Sequence, residues 1–257
     1  MAWVSPASVT TGDLITAAQW NEDVVDNPLY LKTRADHVDN IITGWIAADD
    51  TWVYVSATSF KITGADLTTL YRKGTRVRWK DGGSYKYAYV VASSFSTDTT
   101  VTIAAGSDYS ISNATLTDNY YSYDDSAQGF PDVFAYTPTG ISASNVTLTG
   151  RFSILGRRCF VDFRCQFAGA ISFTTMPTLP VTASASILGP SIDRGVTGVA
   201  SYADSGTAVA NHSISPTVIA SGTTFGIYTA GGVAMGDNTP ITWANNDEII
   251  ARFSYEI

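Results

Sequence analysis

Between Arg158 and Phe167 the chain reads RCFVDFRCQF, where Cys159, Val161, Phe163, Cys165 and Phe167 alternate with Arg158, Asp162, Arg164 and Gln166. Such a period of two does not suit an amphipathic helix; it predicts a strand with one face in a core. The segment DEIIARFSYEI repeats the pattern, with Ile249, Ala251, Phe253, Tyr255 and Ile257 on one face. Upstream, TWVYV, SFKITG, TRVRWK, SYKYAYVVASSF and TTVTIAAG read as short strands of an antiparallel meander. Composition agrees: only 15% of residues are charged, and Ser, Thr, Gly, Ala, Val and Tyr favour pleated sheet and turns.

The expected fold is therefore mainly β. A helical segment over residues 1–44 leads into a small antiparallel β domain over 45–137. A C-terminal β-sandwich of jelly-roll type follows over 138–257. The segment ATLTDNYYSYDDSAQGFPDVFAYTPTGISASN has no sustained apolar period and reads as the joint between the two β domains. Cys159 and Cys165 lie six residues apart on one strand face, about 20 Å along the chain, too far for a disulfide. Both read as buried small hydrophobes.

Helical signals cluster at the start. Thr16 and Gln19 form a capping-box pattern opening ITAAQWNEDVVDN, which Pro28 is expected to end. A second helix is expected to start with Asn27 as its cap and Pro28 in its first turn, and to close on Gly44. Its positions Leu31, Ala35, Val38 and Ile42 form a heptad seam of under two repeats. A seam this short does not hold an isolated coiled coil; three copies tied together by neighbouring domains satisfy it.

The net charge of −8 argues against nucleic-acid binding. MAWVSPASVTTGDL has neither the basic region nor the apolar run of a secretory signal, and no stretch reaches the ~18 apolar residues of a membrane span. Cytosolic synthesis without membrane insertion is the expectation.

Catalytic chemistry has few parts. Of the two histidines, His37 reads as a solvent-facing helix residue and His212 as a polar loop residue. Asp49–Asp50 and Asp124–Asp125 are adjacent pairs, which point to opposite faces of a strand and make no acid/base dyad. They read as turn residues, as do Gly82–Gly83 and Gly231–Gly232. No catalytic residue, metal site or cofactor is expected, so the chain reads as a structural or binding protein rather than an enzyme.

Two clusters are candidate ligand contacts. In the hairpin RVRWK-DGG-SYKYAYV, a three-residue loop places Trp79 opposite Tyr85 and Val77 opposite Tyr87 on an aromatic face. Arg76, Arg78, Lys80 and Lys86 occupy the other face. Arg78 opposite Lys86 is a like-charge pair, so an acidic group is expected nearby: a side chain of this or a neighbouring subunit, an anionic glycan or a protein partner. Tyr120, Tyr121 and Tyr123, beside Asp124, Asp125 and Gln128, have the composition of a saccharide-stacking surface or of a packed domain joint.

The pieces ITAAQWN, LYRKGTRVRWKDGG and YSYDDSAQGFP resemble the N-terminal half of bacteriophage tail-fibre and minor virion proteins, where a short helical segment containing Trp-Asn leads into a small β domain. The similarity spans roughly residues 10–135. ITWANNDEIIARFSYEI is similar, over a shorter stretch, to the closing strand of trimeric fibre-tip sandwiches. The resemblance implies a virion-located homotrimer. Its N-terminal segment, with Trp20, Asn21 and the seam, would dock on other virion proteins, and its C-terminal domains would attach to host surface polysaccharide or protein. Two other functions compete: a purely structural head fibre, collar fibre or adaptor, and a polysaccharide-degrading tailspike. The chain is too short for a tailspike's long β-helix.

Overall fold

The computed structural model describes residues 16–141, 145–169, 176–184, 197–206, 212–218, 222–229, 235–236, 239 and 241–257. The chain enters through a continuous helical stretch. The Gln19 N–H donates to Thr16 Oγ1 at 3.2 Å, and the Thr16 N–H donates back to Gln19 Oε1 at 2.9 Å, completing the capping box of α1 (Ala17–Trp20). A π-helical turn, Asn21–Asp26, connects directly to α2 (Asn27–Thr43).

Pro28 therefore does not end the first helix, and Asn27 is buried inside the continuous helix rather than capping a new one. A proline lacks an N–H, and its ring crowds the carbonyl four residues back. The wider π turn just ahead of Pro28 breaks the regular bonding ladder where that conflict would fall. The stop at Gly44 is as expected: its φ of +71° is the left-handed conformation that terminates helices.

The first sheet contains β1 (Ile46–Ala47), β2 (Val53–Ser56), β3 (Ser59–Thr63), β4 (Arg76–Lys80), β5 (Lys86–Phe95), β6 (Asp98–Ala104) and β7 (Thr117–Ser122). All pairings are antiparallel, in the order β1-β7-β4-β5-β6-β3-β2. Trp52, Phe60, Tyr71, Val77, Trp79 and Val101 bury one face of it. Trp52 stacks on Phe60 with centroids 4.1 Å apart and donates its indole N–H to the Tyr71 hydroxyl at 3.1 Å.

The β4–β5 hairpin differs from expectation by one residue. Arg78 faces Tyr87 and Trp79 faces Lys86, because the connection spans residues 81–85 rather than three residues. A one-residue slip moves a whole strand's side chains to the opposite face. Tyr85, Tyr87 and Tyr89 thus join the arginines' face, while Lys86 moves to the Trp79 side. The expected Arg78–Lys86 opposition does not exist. Gly82 and Gly83 are turn glycines, both at φ +132°.

The second sheet contains β8 (Phe134–Tyr136), β9 (Val146–Leu155), β10 (Arg158–Phe167), β11 (Thr197–Ala203), β12 (His212–Val218), β13 (Phe225–Thr229) and β14 (Glu248–Glu256). Their order is β13-β12-β11-β14-β10-β9-β8, again antiparallel. The alternating faces hold as read: Cys159, Val161, Phe163, Cys165 and Phe167 are buried on β10, and Ile249, Ala251, Phe253 and Tyr255 on β14. Phe225 on β13 lies 5.1 Å from Phe163 and 4.7 Å from Phe253, so the sheet folds over until its far edge covers its centre. Both cysteines are free and buried, and burial pushes their thiols up to about 12.

The segment expected to be an irregular joint supplies β7 to the first sheet and β8 to the second, and β8 precedes residue 138. What joins the sheets is an aromatic chain. Phe130 lies between Trp45 (6.1 Å) and Phe134 (5.5 Å), Tyr89 contacts both phenylalanines, and Phe134 stacks on Phe152 of β9 at 5.6 Å. Tyr89 and Ala104 of the first sheet belong to the core of the second.

Candidate functional site

The described surface most unlike an ordinary solvated sheet lies on the arginine face of β4. Strand alternation points Arg76, Arg78 and Lys80 to that face, and the β5 and β7 neighbours set tyrosines around them. The Arg78 guanidinium carbon lies 4.2 Å from the Tyr120 ring centroid, 4.6 Å from that of Tyr85 and 4.7 Å from that of Trp45. Each distance is well within cation–π range. Tyr85 and Tyr120 also meet edge to face at 6.3 Å. Burial raises the Tyr85 phenol, so at neutral pH the ring presents an uncharged π face to the arginine.

Trp45 is fixed by the helix exit. Gly44 turns the chain, the Trp45 indole donates to the Gln128 carbonyl at 2.8 Å, and the Gln128 N–H donates to the Thr43 carbonyl at 2.8 Å. Tyr120 is placed by a bulge in β7 between its pairings to Arg78 and Lys80, where Asp118 takes a positive φ of 49°. The Asp118 carboxylate then lies 2.8 Å from Lys80 Nζ.

Arg78 differs from its neighbours in charge pairing. Arg76 meets Asp125 at 3.0 Å, Lys80 meets Asp118, and Lys86 meets Asp81 at 2.8 Å. Arg78 has no carboxylate among the described residues, and its Nε is buried without a hydrogen-bond acceptor. Counting these five groups on the β4 face, three cations and two anions leave one net positive charge, and it belongs to Arg78. A ≈ 450 Å³ cleft lined by Arg76, Tyr89, Asp125, Phe130 and Ser153 opens at the adjoining joint.

Only some of the predicted ligand contacts come together. Arg78 and Tyr120 do. Lys86 lies on the other face of the hairpin, held by Asp81, the Ser110 carbonyl and Ser112 Oγ. Tyr121 packs edge-on against Tyr71 and Tyr123. The Tyr123 hydroxyl donates to the Leu70 carbonyl at 2.8 Å, and Arg72 sits over its ring at 4.7 Å. None of the three tyrosines takes part in the aromatic chain at the sheet–sheet joint.

Trp45 and Tyr85 flank Arg78 without any sequence signal that puts them there. The one-residue hairpin shift hid Tyr85, and nothing local marks Trp45, which reaches the site through the fold of residues 124–130.

At the N-terminal segment, Trp20 (56% exposed), Leu31 (53%) and Ile42 (73%) are uncovered, and Asn21 and Ala35 are also exposed. Val38 lies on α2, with its side chain outside the described residues, as is that of His37. The side chain of His212 on β12 and the Gly231–Gly232 pair are outside them too.

Comparison with known proteins returns no match: no family model, curated protein or solved structure is similar to this chain.

Proposed function

We propose that the chain is a bacteriophage virion fibre protein, a homotrimer anchored by its N-terminal helical segment and presenting its β domains for attachment to the host surface. The observation that carries the reading is the uncovered apolar side of α1 and α2. A helix of 17 residues with Leu31 and Ile42 in water gains little from its own sequence, because helical stability comes mainly from burying an apolar face. The four-three-four spacing of the seam suits a parallel bundle with copies of itself. In this reading the second sheet, from β8 onward, forms a sandwich-type tip, and Trp20 and Asn21 contact other virion proteins.

The β body suits display. Its two sheets share aromatic packing at the joint, so a helical stalk carries one stiff unit. Three weak sites on one trimer also gain by avidity.

The test is adsorption of the fluorescently labelled full chain to a panel of bacterial surfaces. Saturable binding to particular strains, competed by unlabelled protein, is the expected result. Absence of binding on every strain, together with recovery of the chain in purified particles, would make it a structural virion component instead.

A further inference from the structure

Resting on the reading of a surface-attachment protein, we infer that Arg78, framed by Trp45, Tyr85 and Tyr120, is a subsite for the oxyanion of an acidic polysaccharide. Three aromatic rings lie within 4.2–4.7 Å of the guanidinium carbon. Rings packed against a guanidinium occupy its faces and leave its donor edge, which matches carboxylate and phosphate oxygens two at a time.

The residue is partly buried and no described carboxylate neutralises it; its buried Nε lacks an acceptor just as that of Arg76 does, so it is the unneutralised charge that sets Arg78 apart. Part of the cost of taking a charge out of water is thus already met, without the return that an anion supplies. Arg76 and Lys80 already hold Asp125 and Asp118, so an incoming anion meets one available cation rather than a diffuse basic patch.

The rings supply the second half of the recognition. Tyr85 and Tyr120 are only partly exposed, and their ring faces already hold cations, Arg78 on both and Lys80 Nζ 4.4 Å from the Tyr85 centroid, so they border the charge with apolar ring edges that exclude water around a bound oxyanion. The net charge of −8 repels polyanions at long range, so the binding free energy has to come from the short-range contact at Arg78.

Two sources share this oxyanion chemistry: uronate sugars through their carboxylate and phosphodiester polymers of the cell wall through their phosphate. Titration of the full chain with oligogalacturonate, poly(glycerol phosphate) and a neutral cello-oligosaccharide separates them. One acidic probe is expected to bind saturably and the neutral one at least ~10-fold more weakly, the scale of a charge-assisted bidentate contact. Arg78→Gln should lower acidic-probe affinity at least ~10-fold, Arg78→Lys should lose affinity while keeping charge, and Arg252→Gln on the second sheet should change nothing. Melting curves identify any variant that fails to fold; Arg78→Lys and the neutral probe then still decide.

Equal affinity for neutral and acidic probes, no binding by the native chain, or unchanged binding by Arg78→Gln would overturn the inference. So would a change of oligomeric mass in Arg78→Gln with no effect on glycan binding, since a neighbouring copy would then supply the anion. Cell adsorption that survives Arg78→Gln sinks this subsite alone, whereas failure of the native chain to adsorb to any cell sinks the attachment function itself.

Discussion

Asp81 shows how one carboxylate organises the hairpin next to the candidate site. Its side chain is 2% exposed and accepts from Lys86 Nζ, from the Ser112 N–H at 2.6 Å and from the Trp79 indole at 3.4 Å. Burial alone would raise its carboxyl; the Lys86, Ser112 and Trp79 contacts outweigh that and hold it below the ordinary carboxylate range. A carboxyl depressed in the folded state contributes stability that is full above its unfolded value of about 3.9 and is lost as pH falls through the folded value. Asp81→Asn should therefore cost about 2 kcal/mol at neutral pH and flatten the acid limb of a stability–pH curve below about pH 4. Urea denaturation at pH 7 and pH 3 checks both; equal losses for native and variant between the two pH values would contradict the assignment. Asp98 and Asp124 are depressed as well, so some slope should remain.

At the scale of elements, connections decide what strands can present. The alternation in β10 and β14 was legible because every inward position is apolar and every pairing is in register. The hairpin was legible as a hairpin but not in its register, since Asp-Gly-Gly reads equally as a three-residue loop or as part of a longer one. That single residue determines whether Tyr85 meets Trp79 or Arg78. The motif YSYDDSAQGFP shows a deeper limit: Asp125 pairs with Arg76, Gln128 holds both Thr43 and Trp45, and Phe130 packs the joint. No local period encodes these roles, because each partner lies far away in sequence. The helix runs on through Pro28 for a related reason: the π turn that admits it is a tertiary option that no propensity announces.

The loop after β6 makes a close backbone approach to β8. Gly106 has φ +63°, and a Cβ there would meet the Ala135 carbonyl, to which the Ser107 N–H donates at 2.8 Å. Gly106→Ala combines left-handed strain with that clash and should destabilise by about 1–3 kcal/mol. Calorimetry is the check, and an unchanged Tm would show that the loop yields without disturbing the joint.

For the whole molecule, the two sheets pack as one body because Tyr89, Phe130, Phe134 and Phe152 run from one core into the other. The helical segment leaves that body at Gly44 with apolar residues in water, an arrangement that makes sense as an assembly element. Sedimentation equilibrium of the full chain and of Leu31→Asp/Ile42→Asp is the most direct measurement of that claim. The native protein should sediment at about three times the 27.4 kDa chain mass, and the double variant should fall toward a single chain while keeping its β-sheet circular dichroism. A native chain that stays at one chain mass at micromolar concentration, or a double variant that keeps the trimer mass, would contradict the account.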